Sequence, residues 1–492
     1  MTLAVALVLW GAAAWAWWFV SDRGFVDLHF ARNWTERASL GLHAADPIPS
    51  EVNAGLLWPV LLMVVQFGET PSPIEAAAIG AMCSAWTLVG VTVAANQVRG
   101  AVAARWAAFV LATSVPFAVW STGGTGSALA TLSVFLCWWF AANAKDRVGL
   151  TGVAFAAAAA TLSRPDGLLQ ATVAAAAGGA RAQSGTRALG AALTGIAVAT
   201  TLRTVLFGTP IPWSLHTNLQ SIDPWSGFAW LSATLLVCLP IPAAPMLSPW
   251  AGSVAKSVRW PISALLAFPV LTGGDSGVVG EAFVGALPFL ALLAGAGAAG
   301  APTWARSAGV LATALAMLPH LGIGPTLPWG AEAGQPAATQ WRHAINEVVG
   351  GRQEAIALRQ LGGGRQTVVS RRPGALGYYS RWRVLDETGR MTASPAGDAA
   401  QGARRYLAER PTVLAIHRVT DAADADALVD RWREWASADA VLHTTWGPRL
   451  LTTEDGVFLA LYRWPSPEQA IASWVSPTWP EPRLAPPPPP SP

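Results

Sequence analysis

Apolar runs of about 15 to 22 residues recur from Thr2 to about Leu321, and no other feature restricts the fold as much. Each run is long enough, or nearly so, to cross a bilayer as a helix, and a water-soluble core has no room for so many. Of the 492 residues, 52% are hydrophobic and 12% charged, with a mean hydropathy of +0.38. Soluble domains carry about a quarter charged residues, so the chain reads as an integral membrane protein. A net charge of +3 gives no footing for nucleic acid. Cys83, Cys137 and Cys238 all fall in apolar runs, which implies neither a disulfide framework nor a zinc site. The first run, 3–20, lacks a basic start, and W-A-W-W-F is a poor cleavage sequence; it reads as a retained first transmembrane helix.

Further runs lie at 54–67 (short for a span unless tilted), 74–95, 106–120, 128–142, 150–162, 168–177, 188–207, 228–246, 261–271, 283–298 and 308–321. They give about twelve candidates and a polytopic α-helical domain of about 11–13 transmembrane helices over residues 1–325. Arg99 and Arg105, Lys145 and Arg147, Arg181 and Arg187, Lys256 and Arg259, and Arg306 fall in alternate connections. The positive-inside rule makes those connections cytoplasmic. The intervening ones, with Gly123, Arg164 to Gly167, 207–216 and 273–275, then share the extracytoplasmic face with the C-terminal domain. One count disagrees: two simple spans back from Arg99 do not put residues 21–53 on that face. A broken or re-entrant segment is therefore expected at 54–67 or 106–120.

From about Trp329 the character changes. Residues 341–361 have amphipathic helical spacing, 367–370, 383–386, 411–417 and 457–464 read as strands, and 424–437 reads as a helix. Residues 326–470 are expected to form a soluble α/β domain, and 471–492 a Pro-rich disordered tail.

The polar stretch 21–53 interrupts the apolar sequence earliest. Asp22 ends the first run, and Asp27, His29, Arg32, Glu36, Arg37, Asp46 and Glu51 follow. A carboxylate at the mouth of a membrane helix is costly unless solvated, paired or metal-bound. An ordinary solvated loop is the plainer alternative.

Several of these stretches together resemble the GT-C superfamily of polyprenyl-phosphate-sugar-dependent glycosyltransferases, nearest to the bacterial arabinofuranosyltransferase-like group. The first loop of that family reads like D-D-A-x-I-x-x-R-Y-A-x-N; here D-R-G-F-V-D-L-H-F-A-R-N keeps Asp22, Ala31 and Asn33. An E-G-Y-x-x-x-L-W pattern is similar to 51–58, S-G-M-E-T to 121–125, R-P-E-G to 164–167, Y-G-x-x-x-P-N-T to 207–214 and G-G-D-W to 273–276. The stretch 374–389 is similar to the family's tail domain. The resemblance implies transfer of a sugar, a pentofuranose among the options, from a polyprenyl-phosphate donor to an extracytoplasmic glycan, lipid or protein acceptor, with inversion. It places the chain in a bacterial inner membrane.

Such transfer needs a carboxylate as general base on the acceptor hydroxyl. It also needs cations, from protein or a divalent metal, to neutralise the leaving phosphate. The resemblance implies Asp22, Asp27 and Glu51 as catalytic residues, with Asp22 the base or a metal ligand. It implies Arg23, His29, Arg164, Asp166, His216 and Asp275 around the donor phosphate. The departures are specific. Arg23 replaces the second aspartate, His29 an arginine, Gly124 the S-G-M-E-T glutamate, Asn218 a lysine, Trp213 an asparagine, and Glu281 an arginine. Arg23 can replace the positive charge missing at Glu281 or Asn218, and Asp27 the missing acid.

Plainer readings stand beside these. Residues 164–166 could form only a helix-capping turn. Trp58 reads as an interfacial belt residue, and Tyr378 and Tyr379 as packing between the soluble domain and the membrane part. A degenerate relative that binds a lipid-linked glycan or a partner, and a transporter or flippase, are the other function classes. A transporter should carry internal repeats and mid-membrane polar residues; no clear repeat is seen, and the ionisable residues sit at helix ends.

Overall fold

The computed structural model describes residues 2–37, 55–65, 71–164, 166–210, 212, 222–238, 243–272, 278–317, 337–362, 366–370, 373–386, 411–437, 444–454 and 456–475. Contacts divide the chain into two compact units, one built on Met1–Val348 and one on Val349–Gly389 and Ser394–Pro492. The break falls inside a helix, while the expected boundary at 325/326 lies outside the described residues.

The first unit is helical. Its elements are α1 (Thr2–Ala16), α2 (Asp22–Arg37), α3 (Leu57–Val65), α4 (Pro73–Ala112), α5 (Val115–Ser121), α6 (Ser127–Asn143), α7 (Arg147–Ser163), α8 (Gly167–Arg181) and α9 (Gly185–Phe207). After them come α10 (Pro224–Cys238), α11 (Ala243–Leu247), α12 (Ser253–Leu271), a 3-10 segment (Val278–Ala286), α13 (Leu287–Gly300), α14 (Thr303–Met317) and the start of α15 (Ala337–Arg359). The helix ends follow local chemistry. Ser72 and Glu75 form a reciprocal capping box ahead of Pro73, and Asp146 accepts from the Gly149 amide at 2.9 Å to start α7. The core is dense in alanine, with Ala103, Ala107, Ala157, Ala160, Ala171 and Ala174 all buried. Small side chains let helices approach closely where hydrophobic pressure between them is weak.

Among the described residues, four helical stretches are long and apolar enough to cross a membrane: Pro73–Ala112, Gly185–Phe207, Ser253–Leu271 and Val279–Gly300. Others, such as α6 and α7 at 17 residues each, are apolar but shorter. A 17-residue helix is about 26 Å long against a hydrocarbon core of about 30 Å. The disputed segments are not simple crossings. The nine residues of α3 span only about 14 Å. Residues 106–120 are divided between the end of α4 and the seven-residue α5. Arg99 and Arg105, expected in a loop, flank a kink within α4 where Gly100 takes φ 76°. The Arg99 guanidinium donates to the Ala251 carbonyl at 3.4 Å, at the end of the unit that also holds the start of α12.

The second unit is a five-stranded sheet in the order β2-β1-β3-β5-β4, from β1 (Thr367–Ser370), β2 (Arg383–Asp386), β3 (Val413–Val419), β4 (Trp446–Thr453) and β5 (Gly456–Arg463). β1 is parallel to β2 and β3, and β5 is antiparallel to β3 and β4. Alternating side chains feed two layers. Val369, Leu385, Leu414 and Leu459 pack with Val429 and Trp432 of α17 (Ala422–Ser437) and with Trp474 of α18 (Pro467–Val475). Val368, Val384, Ile416 and Phe458 pack with Ala357 and Leu358 of α15, and with Leu376 of α16 (Pro373–Ser380). Strands were expected at 367–370, 383–386, 411–417 and 457–464; β4 was not. α18 reaches five residues into the stretch read as tail. Tyr378 stacks edge-on against Tyr379, with Arg352 of α15 over the Tyr379 ring at 5.6 Å.

Candidate active site

The first polar stretch is a helix, and its charged side chains are turned inward. Ser21 starts α2: its hydroxyl accepts from the Gly24 amide at 3.2 Å and donates to the Gly123 carbonyl at 3.0 Å, and the Ser21 amide donates to the same carbonyl. Asp22 is the first helical residue, where the helix dipole favours a carboxylate. Every residue from Gly24 to Asn33 is buried, including Asp27, His29, Arg32 and Asn33. A solvated loop would expose them. Gly24 is fitted to its place, since a Cβ there would lie 2.9 Å from the Gly123 carbonyl oxygen.

Stretches far apart in sequence meet around α2. Trp58 donates from Nε1 to the Gly124 carbonyl at 2.8 Å, and Trp10 from Nε1 to the Ser121 hydroxyl at 3.0 Å. Trp58 is wholly buried and so is not a belt residue: its indole N–H meets the Gly-rich loop, where a buried donor needs an acceptor. Gly55, at φ 114°, lies against the backbone of Leu162 and Ser163, and a Cβ there would collide with both. Phe30, Leu56 and Phe207 form an apolar cluster with Leu162 packed against it. The end of α1, the start of α2, the 121–127 loop, the end of α7 and the end of α9 therefore lie at one end of the helical unit. Of the stretches that carry the resemblance, those at 22–33, 121–125, 164–167 and the start of 207–214 come together here, with Trp58 among them. Glu51, His216, Asp275, Asn218 and Pro165 lie outside the described residues.

The turn after α7 does not use its aspartate as a cap. Asp166 makes no capping bond; Arg164 Nε donates to its Oδ1 at 2.9 Å, and Gln170 donates to its Oδ2. The aspartate is almost wholly buried, whereas the Arg164 side chain is 22% exposed, so a buried carboxylate braces a partly exposed guanidinium. On α2, Arg32 donates to His29 Nδ1 at 2.8 Å. A guanidinium has only donors, so the imidazole nitrogen is the acceptor in this contact.

The centre of the cluster is Glu281, in the 3-10 segment. Arg23 Nη1 donates to Glu281 Oε2 at 2.9 Å, while Ser127 and Thr125 donate hydroxyls to Oε1 at 2.7 and 3.2 Å. The segment is held open by two left-handed residues, Val279 (φ 52°) and Gly280 (φ 64°), and the Val279 amide donates to Gln340 of α15 at 2.7 Å. Glu281, Ser127, Thr125 and Gln340 were not among the expected site residues. In sequence Glu281 reads only as a place where an arginine is missing. The sequence signal was the matching reversal at Arg23, and the structure joins the two as one ion pair of inverted polarity.

Asp27 lies one turn beyond Arg23 on the same face of α2. It is fully buried, and neither carboxyl oxygen has a hydrogen-bond partner among the described residues. Keeping a proton on an ordinary carboxyl at pH 7 costs about 4 kcal/mol. Burying the ion unpaired costs several kcal/mol more than burying the acid, and its unmet acceptors add roughly 1–3 kcal/mol. The proton wins: burial pushes Asp27 well above the usual carboxylate range, Glu281 pushes it further, and Arg23 opposes both. Among the described residues, no three His, Cys, Asp or Glu side chains gather as metal ligands.

No protein-family model matches the sequence, and no curated protein matches it. The structure is similar to the crystal structure of ArnT from Cupriavidus metallidurans in the apo state, with a TM-score of 0.59 and 13% identity, covering 93% of this chain and 96% of that one. It is also similar to that ArnT bound to undecaprenyl phosphate, with a TM-score of 0.55 and 14% identity, covering 93% and 97%. At such identity the likeness shows a shared fold and nothing further.

Proposed function

We propose that this chain transfers a sugar from a polyprenyl-phosphate donor to an acceptor hydroxyl at the α2 end of its helical unit, on the extracytoplasmic side of a bacterial inner membrane. The observation that carries the reading is the Arg23–Glu281 pair between α2 and the 3-10 segment, beside a 121–127 loop that also packs near the end of α7 from which Arg164 follows, within a fold shared with a protein crystallised with undecaprenyl phosphate. Asp22, at the partly exposed start of α2, is the general base that takes the acceptor proton. Arg23 and Arg164 are each partly exposed while a buried carboxylate fixes them, which suits a cation that must meet an anionic leaving group without reorganising. The neutralisation is assigned to these arginines, each braced by a buried carboxylate. Glu51, His216 and Asp275 complete the proposed site. A pentofuranose is the finer reading of the sugar, and a glycan, lipid or protein the acceptor.

The purified full chain in lipid nanodiscs is tested with polyprenyl-phosphate-linked pentofuranose and hexose donors against a cell-envelope extract from a deletion strain. Transfer in the wild type and a loss of about 10²-fold or more in Asp22→Ala, as for a general base, is expected. Equal transfer by wild type and Asp22→Ala would remove the base, and donor binding without turnover would leave a lipid-sugar-binding scaffold.

A further inference from the structure

An arginine and an aspartate four residues apart on one helix face lie within reach of each other. Arg23 and Asp27 have that spacing, yet Arg23 reaches off its own helix to Glu281 at 2.9 Å, while both Asp27 oxygens stay without a hydrogen-bond partner among the described residues. We propose that Asp27 is a positioning residue that works as a neutral carboxylic acid: by staying uncharged one turn from Arg23, it leaves that guanidinium committed to Glu281. The argument for Asp27 stands on its burial and on the choice Arg23 makes; its effect on phosphate binding rests on the function proposed above.

The ionisable groups on the described elements around Asp27 are few. α2 itself brings Asp22, Arg23, His29 and Arg32, of which the last two bond to each other. The 3-10 segment brings Glu281, and the 121–127 loop brings only the hydroxyls of Thr125 and Ser127. α3 brings no charge, and the first turn of α4 brings Glu75, whose carboxylate accepts from the Ser72 amide. Arg23 is thus the cation for which an ionised Asp27 would compete. Ionisation would draw Arg23 back along its own helix, leave Glu281 with two hydroxyl donors alone, and turn a neutral trio into a net anion facing a phosphodiester. Burial and the neighbouring Glu281 both favour the protonated form.

The test uses the full chain in nanodiscs. Infrared difference spectra are taken between wild type and Asp27→Asn, and undecaprenyl phosphate binding is followed against pH for wild type, Asp27→Asn and Arg23→Gln. A protonated-carboxyl C=O band at neutral pH that vanishes in Asp27→Asn is expected. At neutral pH, Asp27→Asn should bind within about twofold of wild type and Arg23→Gln about tenfold or more weakly, the loss of one charge-assisted hydrogen bond. Wild-type binding should fall toward alkaline pH, and Asp27→Asn should lose that fall. No such band, or an Asp27→Asn variant as weak as Arg23→Gln, would overturn the proposal. A wild type that binds no undecaprenyl phosphate would instead sink the transfer reading and leave the band to decide Asp27.

Discussion

Arg23 and Glu281 are unequal partners, and the inequality fixes the order in which their variants should fail. The Glu281 side chain is 6% exposed and that of Arg23 29%. Arg23→Gln strands the buried partner. Breaking a buried pair costs about 3–5 kcal/mol, but Ser127 and Thr125 still donate to Glu281, so about 2–3 kcal/mol is expected here. Glu281→Gln strands the exposed partner, which rehydrates, and about 1 kcal/mol is expected. The double variant should resemble Glu281→Gln, giving a coupling of about 2–3 kcal/mol. Charge reversal sharpens the case. Arg23→Glu places a third carboxyl beside Glu281 and Asp27 and should fare worst, while Arg23→Glu with Glu281→Arg restores an ion pair in the opposite sense. Because the chain has two units, a global melt is a poor readout. Hydrogen exchange of peptides covering residues 22–33 reports the opening of α2 itself. If Glu281→Gln opens α2 as much as Arg23→Gln, or the exchanged pair opens as readily as the single reversal, the reasoning is wrong.

Gly55→Ala should destabilise the site end by about 1–3 kcal/mol from the positive φ alone, with the collision against Leu162 and Ser163 added, and protease sensitivity there should rise; a wild-type digestion pattern would rule this out. The raised Asp27 also sets a sign for pH. The folded chain keeps a proton that the unfolded chain has lost, so stability falls as pH rises from the ordinary carboxylate range until folded Asp27 itself titrates. The slope is at most about 1.4 kcal/mol per pH unit and should be missing in Asp27→Asn; parallel curves from roughly pH 5 to 8 would contradict it.

The apolar runs made the helical unit legible because hydrophobicity over a window survives loss of detail. The ends of α6, α7 and α9 fall close to the expected ones. The strands β1, β2, β3 and β5 were legible from short β-branched runs between turn residues. β4 was not, since W-G-P-R-L-L-T-T carries a glycine and a proline that demote a strand, and both sit on the sheet edge where they are tolerated. α2 was read as a loop because its polarity outweighed its periodicity; a helix buried on all sides shows no amphipathic stripe. Its charged residues stand out in sequence as a group, but the Arg23 pairing depends on a residue hundreds of positions away. Glu281 shows this limit: in sequence it is a mismatch, and only beside Arg23 does it become half of a bond.

The sequence separation of 258 between Arg23 and Glu281 also sets a timetable. At roughly 5–20 residues per second, the ribosome needs on the order of 10 to 50 s after making Arg23 to supply its partner. Until then α2 carries ionisable side chains with nowhere dry to go, and water at the bilayer surface is the only medium that will hold them. The neighbouring spans can insert in order of synthesis, but this helix must wait outside and dock once the 3-10 segment has emerged. The site thus closes only after the 3-10 segment has been made, and a chain stalled before residue 281 would carry α2 with the Glu281 partner of Arg23 missing.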